Sequence, residues 1–240
     1  FPLLIKFIDA SEALSIQVHP NDAYAQRVEH SLGKTEMWIV LECEPEAFLY
    51  YGVNEHLSPE AFQAHIENNT VESVLNRVPV KKGDVFYIEA GTIHAIGAGI
   101  VICEIQQNSD TTYRVYDFNR TDDRGNKREL HIQKAAEVST LTPPTQSPGP
   151  VEKPVSIPGG SCQLLAQSPY FTVKSYTSTA MIKIPLSTDS FLALSCLDGD
   201  GLAIIDETRL PFKKGDSLFI PAQTATLTIE GACQLAATTV

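Results

Sequence analysis

Four side chains in the first hundred residues carry the chemistry this sequence offers: Gln17 and His19, Glu36, and His94. In the run LSIQVH, strand alternation puts Leu14, Ile16 and Val18 on one face and Ser15, Gln17 and His19 on the other. Gln17 and His19 therefore project together, roughly 7 Å apart along the chain. Glu36 opens the apolar run EMWIVL, where a carboxylate next to Trp38 needs a partner to be tolerated. His94 follows the turn Glu89-Ala90-Gly91-Thr92, whose glycine permits a sharp reversal. One amide, two imidazoles and one carboxylate form a nitrogen/oxygen donor set suited to Zn²⁺, and also to Fe²⁺, Mn²⁺ or Ni²⁺. Three strong ligands with one weak or exchangeable position match a catalytic centre better than a closed structural one. His30, His56, His65 and His131 lie in helical or loop segments with no pattern linking them, and are read as ordinary polar residues.

Positioning such a set requires strands, and the sequence is rich in them. LLIKFI, LSIQVH, EMWIVLE, AFLYYG, VFYIEA, GIVICEIQQ and TTYRVYDF precede residue 140. CQLLAQ, YFTVKSYT, MIKIPL, FLALSCL, GLAIID, SLFIPA and TATLTIE follow residue 155. Short β-rich runs divided by turn residues predict an all-β sandwich or barrel. Two helical insertions are expected in the first half. One is capped by Asn21 or Asp22 and runs through about Glu29. The other opens at Ser58-Pro59-Glu60 and continues with apolar residues as far as Leu75.

The stretch from Thr140 to Gly160, TLTPPTQSPGPVEKPVSIPGG, is too rich in Pro, Ser and Gly for a packed sheet and reads as a linker. The expected organisation is a catalytic domain over residues 1–140, a linker over 141–160 and a second domain over 161–240. An internal repeat joins the halves: Val80–Thr92 reads VKKGDVFYIEAGT and Phe212–Thr224 reads FKKGDSLFIPAQT. Identity at four consecutive positions in the same context argues for duplication. His94 aligns with Thr226, and no histidine follows His131, so the chemistry is assigned to the first domain.

Composition narrows the partners. Eighteen basic against 29 acidic residues give a net charge of −11, which disfavours nucleic acid and anionic membranes as partners. A small phosphorylated substrate needs only a few local cations. No apolar run approaches the ~18–20 residues needed to span a bilayer. The five cysteines are odd in number and far apart, which suggests reduced thiols in a cytoplasmic protein. The opening FPLLIKFIDA reads as a strand already under way, so a preceding segment is expected.

Gly83 to His94 resembles the second cupin motif, glycine, five residues, then Pro-x-Gly-x-x-His, with Glu89 where proline is usual. The later copy keeps Gly215 and Pro221 without the later glycine and the histidine, so the second domain looks like a degenerate cupin without a metal site. QVHPND, GKTEMW, GTIHAIG and EIQQNSDTTYRVYD, in that order, resemble type I mannose-6-phosphate isomerases of the short bacterial form. The resemblance implies two cupin-type jelly-roll domains and one Zn²⁺ per chain, with Gln17, His19, Glu36 and His94 as its ligands. It implies Arg114 as the catalytic arginine, Glu104 as a proton carrier, and Lys34 as an active-site lysine. The implied reaction interconverts mannose 6-phosphate and fructose 6-phosphate through an enediol. By alternation Arg114 shares a face with Thr112 and Tyr116 and can point into the barrel. Two other readings remain open: a cupin metal-dependent oxygenase, and a non-catalytic sugar-binding cupin.

Overall fold

The computed structural model describes residues 1–145, 147–223 and 225–240. Gln146, in the expected linker, and Thr224, the last residue of the second repeat copy, lie outside the described residues. The chain divides into two compact units, Phe1–Pro148 and Gly149–Val240. Both are mostly β. No helix among the described residues is long and apolar enough to cross a membrane.

In the first unit the strands are β1 (Leu3–Ala10), β2 (Ile16–Val18), β3 (Glu36–Cys43), β4 (Phe48–Val53), β5 (Leu75–Pro79), β6 (Val85–Ile88), β7 (His94–Ile96), β8 (Ile100–Gln107) and β9 (Tyr113–Tyr116). The helices are α1 (Asp22–Val28), α2 (Pro59–Glu67) and α3 (Ile132–Val138). One sheet has the order β1-β8-β3-β6 and the other β5-β4-β7-β2-β9. Leu49 and Ile96 of the second sheet pack with Trp38, Val40, Phe86, Ile88, Ile100 and Ile102 of the first, forming a near-barrel interior. The opposite face of the second sheet carries Ile16, Val18, Tyr50, Ala95, Tyr113 and Val115. It packs on Phe62 and Ile66 of α2 and on Ala135 and Ala136 of α3. Burying each of the two large α2 side chains contributes roughly 1.5–3 kcal/mol, which fastens this helix to the sheet that holds the metal-site strands.

The helix starts follow capping chemistry. Asn21 Oδ1 accepts from the Tyr24 N–H at 2.9 Å, and Ser58 Oγ accepts from the Ala61 N–H at 3.1 Å, ahead of Pro59 at the first helical position. The second helix does not reach Leu75 as expected. It stops at Glu67, Asn69 turns left-handed (φ 57), and a 3₁₀ turn over Val71–Val74 leads into β5. Asn tolerates that conformation better than most residues, and Val71 and Val74 bury the same side of a 3₁₀ turn as of an α-helix. Helix α3 was not expected from the sequence. His131 at its N-cap makes no side-chain capping bond, and its first turn has no acidic residue, so the usual start signals are missing.

The second unit contains β10 (Val155–Ile157), β11 (Gly160–Gln167), β12 (Thr172–Ser178), β13 (Met181–Pro185), β14 (Leu192–Ile205), β15 (Thr208–Lys213), β16 (Ser217–Ile220), β17 (Thr226–Glu230) and β18 (Cys233–Thr239). Their order is β10-β11-β12-β18-β14-β17-β13, with β15 and β16 also paired to β14. Sheet structure thus begins at Val155, inside the stretch expected to be linker through Gly160. Pro154 and Pro158 flank a three-residue edge strand, the position in a sheet that prolines tolerate.

The repeat is also visible in hydrogen bonding. The Lys81 N–H donates to Asp84 Oδ2 at 2.9 Å, and Gly83, at φ +91, donates to the Val40 carbonyl. In the second unit the Lys213 N–H donates to Asp216 Oδ2 at 2.9 Å, and Gly215, at φ +89, donates to the Cys196 carbonyl. The positive φ explains the glycine, and the Asp side chain closing the turn explains Lys-Lys-Gly-Asp.

Candidate metal centre

His19, Glu36 and His94 are each at most 1% exposed, and one ligand atom from each lies within 4.8 Å of the others. Glu36 Oε1 is 3.3 Å from His94 Nε2, and Oε2 is 3.7 Å from His19 Nε2. Gln17 lies directly across the β2–β7 ladder from His94, with its Nε2 3.3 Å from His94 Nε2. Three of the four expected ligands, His19, Glu36 and His94, therefore meet at one point, and Gln17 lies beside His94. Opposing strands supply Gln17 and His94, the other sheet supplies Glu36 from the start of β3, and the residue just beyond β2 supplies His19.

The backbone fixes both rings. His19 Nδ1 is 3.0 Å from the Thr111 carbonyl, and His94 Nδ1 is 2.8 Å from the Thr92 carbonyl. A carbonyl only accepts, so each Nδ1 carries its proton, and in the neutral ring Nε2 presents a lone pair to the site. Burial lowers the His19 imidazole well below its ordinary value, against the pull of Glu36, so this ring is neutral. Burial pushes the Glu36 carboxyl up, but Lys34, His19 and His94 together outweigh it and hold it well below the usual carboxylate range. His19 Nε2 and both Glu36 oxygens are buried without hydrogen-bond partners. Lone pairs facing a carboxylate in a dry pocket repel one another, and a divalent cation among them reverses the sign. The donor set fits such a cation.

Local sequence explains how these residues are brought together. Gly33 donates to Asp22 Oδ1 at 2.8 Å, and Lys34 donates to the Pro20 carbonyl at 3.0 Å. A Cβ on Gly33 would collide with the Pro20–Asp22 backbone, so the glycine lets the strand carrying Glu36 approach the segment after His19. The Gly91 N–H donates to the His19 carbonyl at 2.8 Å, joining the turn before His94 to the same segment.

Lys34 joins the cluster: it is 6% exposed, with Nζ 3.2 Å from Glu36 Oε2. Glu104 lies one side-chain pair away, opposite Trp38 on β3 and Lys6 on β1. It is 4% exposed, with Oε1 accepting from Lys6 Nζ at 2.8 Å and Oε2 from the Trp38 indole at 3.1 Å. Arg114 stands opposite Gln17 in the β2–β9 ladder, hence on the face that carries Gln17 and His94. Its Nη1 donates to the Glu129 carbonyl at 2.8 Å, while its Nε is buried without a partner. Burial, with Arg128 nearby, lowers this guanidinium below its ordinary value.

The carbonyls of Thr92 and Thr111 were not anticipated, because main-chain contacts leave no side-chain signal. The same holds for His131. Its Nδ1 accepts the Arg114 N–H, and its own N–H donates to the Arg114 carbonyl.

In the second unit the duplicated positions lack the donors. Glu36 faces Ile88, and the matching pair in β14 and β16 is Leu192 facing Ile220. β7 begins at His94, whereas β17 begins at Thr226. Leu192 is buried among Ile220, Leu194, Leu227 and Ile229, so an apolar core occupies that region.

A family model described as the cupin domain of mannose-6-phosphate isomerase matches residues 161–240. Mannose-6-phosphate isomerase of Streptococcus mutans is 42% identical over 221 residues, covering 92% of this chain and 68% of that protein. Mannose-6-phosphate isomerase ManA of Bacillus subtilis is 40% identical over 232 residues, covering 96% of this chain and 72% of that protein. The crystal structure of the mannose 6-phosphate isomerase from Bacillus subtilis superposes with a TM-score of 0.90 at 37% identity, covering 100% of this chain and 76% of that one.

Proposed function

The chain belongs to the mannose-6-phosphate isomerase family, and from that premise we propose that it interconverts mannose 6-phosphate and fructose 6-phosphate at the centre built by Gln17, His19, Glu36 and His94. The observation that carries this reading is the convergence of the buried Glu36 carboxylate and His19 Nε2 on His94 Nε2. We assign the site to the Phe1–Pro148 unit, take the Gly149–Val240 unit as a degenerate cupin, and take the cation as zinc, one per chain. When bound, zinc supplies Lewis-acid polarisation of the sugar's oxygens.

The remaining steps belong to the chain. The reaction removes a proton from carbon 2, passes through an enediol and returns the proton to carbon 1. Glu104 is our choice for the group that carries it, since each of its oxygens keeps a lone pair beyond those engaged by Lys6 and Trp38. Arg114 supplies fixed positive charge where the enediol develops negative charge, and its unpartnered Nε is available for a new acceptor. Lys34, beside Glu36, holds substrate oxygens and offsets the carboxylate's charge. Five free thiols support a reducing, cytoplasmic setting.

Metal analysis of the purified chain, paired with a coupled isomerase assay before and after chelation, tests the reading. Activity should vanish on chelation and return with Zn²⁺. Full turnover in metal-free protein would overturn it.

A further inference from the structure

We propose that Trp38 is a positioning residue for the isomerase reaction. Its indole N–H fixes the Glu104 carboxylate while its ring packs against His94, tying the proton carrier to the metal centre. This rests on the reading of Glu104 as the proton carrier.

Trp38 is 0% exposed, and its Nε1 donates to Glu104 Oε2 at 3.1 Å. Its ring stands edge-on to His94, with centroids 5.3 Å apart and planes at 78°. The register makes both contacts follow from one position. Trp38 lies opposite Glu104 in the β3–β8 ladder and two residues after Glu36, on the same face of the strand. The strand that supplies a metal ligand thus also supplies the donor that orients the carboxylate.

A buried Phe or Leu would fill the space without a polar atom, yet this side chain directs its one N–H at Glu104. An indole N–H only donates, so the contact requires an acceptor at Oε2. Lys6 holds Oε1, but its side chain is 37% exposed and sits on a flexible stem, whereas the indole is enclosed and has two torsions. With both oxygens held, the carboxylate cannot turn about Cγ–Cδ without losing a bond, so the free lone pairs keep a fixed direction relative to His94.

The chain has one tryptophan, so protein labelled with ¹⁵N at the indole gives a single side-chain N–H resonance from Trp38. In metal-free protein this resonance should lie downfield and exchange slowly, and Glu104→Gln should move it upfield and speed its exchange. Two variants that remove the N–H are Trp38→Phe and the isosteric benzothienyl analogue placed at the sole tryptophan position. Either should keep bound metal while lowering kcat roughly 10- to 100-fold, with KM little changed.

The analogue keeps the shape of the core, so a failure of Trp38→Phe to fold still leaves a decisive variant. An indole resonance unmoved by Glu104→Gln would overturn the proposal, as would normal kcat in the analogue. Unimpaired turnover and solvent proton exchange in Glu104→Gln would overturn the reading beneath it. A slowed Glu104→Gln beside a normal analogue would remove Trp38 alone.

Discussion

His19 and His94 reach the centre with their outer nitrogens already committed to the Thr111 and Thr92 carbonyls, so neither ring can be replaced by a water-filled gap without loss of the site. His19→Ala and His94→Ala should each lose both bound metal and activity, measured by elemental analysis and the coupled assay. Retained stoichiometric metal would remove that residue from the ligand set. Arg114 differs, since its guanidinium is anchored by the Glu129 carbonyl rather than by the carboxylate cluster. Arg114→Ala should keep the metal while turnover falls by about two to three orders of magnitude; near-normal turnover would exclude it from charge stabilisation. At this scale much was legible in the sequence, because ligand chemistry selects residue types. Gln17, His19, Glu36 and His94 could be named from alternation and motif. What was not legible was the support. Thr92 and Thr111 act through carbonyls that every residue has, and Lys6 finds Glu104 only through a strand register linking positions about a hundred residues apart.

The elements that hold Arg114 in place include the loop from Asp117 to His131, whose sequence gave little warning of its role. Asp117, 5% exposed, accepts from both Arg120 and Arg128, the latter through Nε at 2.7 Å. At its far end His131 closes on the backbone of Arg114. The hydrogen bond from Arg128, with that from Arg120, lowers the Asp117 carboxyl below its ordinary value against the effect of burial. A lowered folded-state value means the ionised form stabilises the fold. That contribution is complete above the unfolded value of about 3.9 and is withdrawn as pH falls through the lower folded value. Asp117→Asn should therefore cost about 1–2 kcal/mol at neutral pH, a figure kept small because both guanidinium groups reach solvent. It should also flatten the loss of stability between pH 4 and the acid limit. Denaturant titrations across that range would check both, and an unchanged acid limb would clear Asp117. Helices α1 and α2 were readable from Asn21 and Ser58-Pro59. Helix α3 was not, because its residues are helical through packing on the sheet and carry no start signal. Strands β5 and β7 were also absent from the runs read as strands in the sequence.

Across the whole chain, the two units share one turn chemistry and differ at the positions that match the candidate site. Glu36 and His94 carry donors where Leu192 and Thr226 do not, and the second unit has filled that region with apolar side chains. Divalent cation should therefore bind once per chain and stabilise only the unit that holds the ligands. With free metal at about 100 times its Kd, a cation that binds only the folded state adds about 2.7 kcal/mol. Hydrogen exchange can locate that increment. On adding metal, amides of β2, β3 and β7 should slow by up to roughly a hundredfold, while those of β14, β16 and β17 keep their rates. His94→Ala should abolish the protection without altering exchange in the second unit. Comparable slowing in β14 and β17, or two ions per chain, would mean that the second unit holds a site its residues do not suggest. The alignment of His94 with Thr226 would then cease to explain where the chemistry lies.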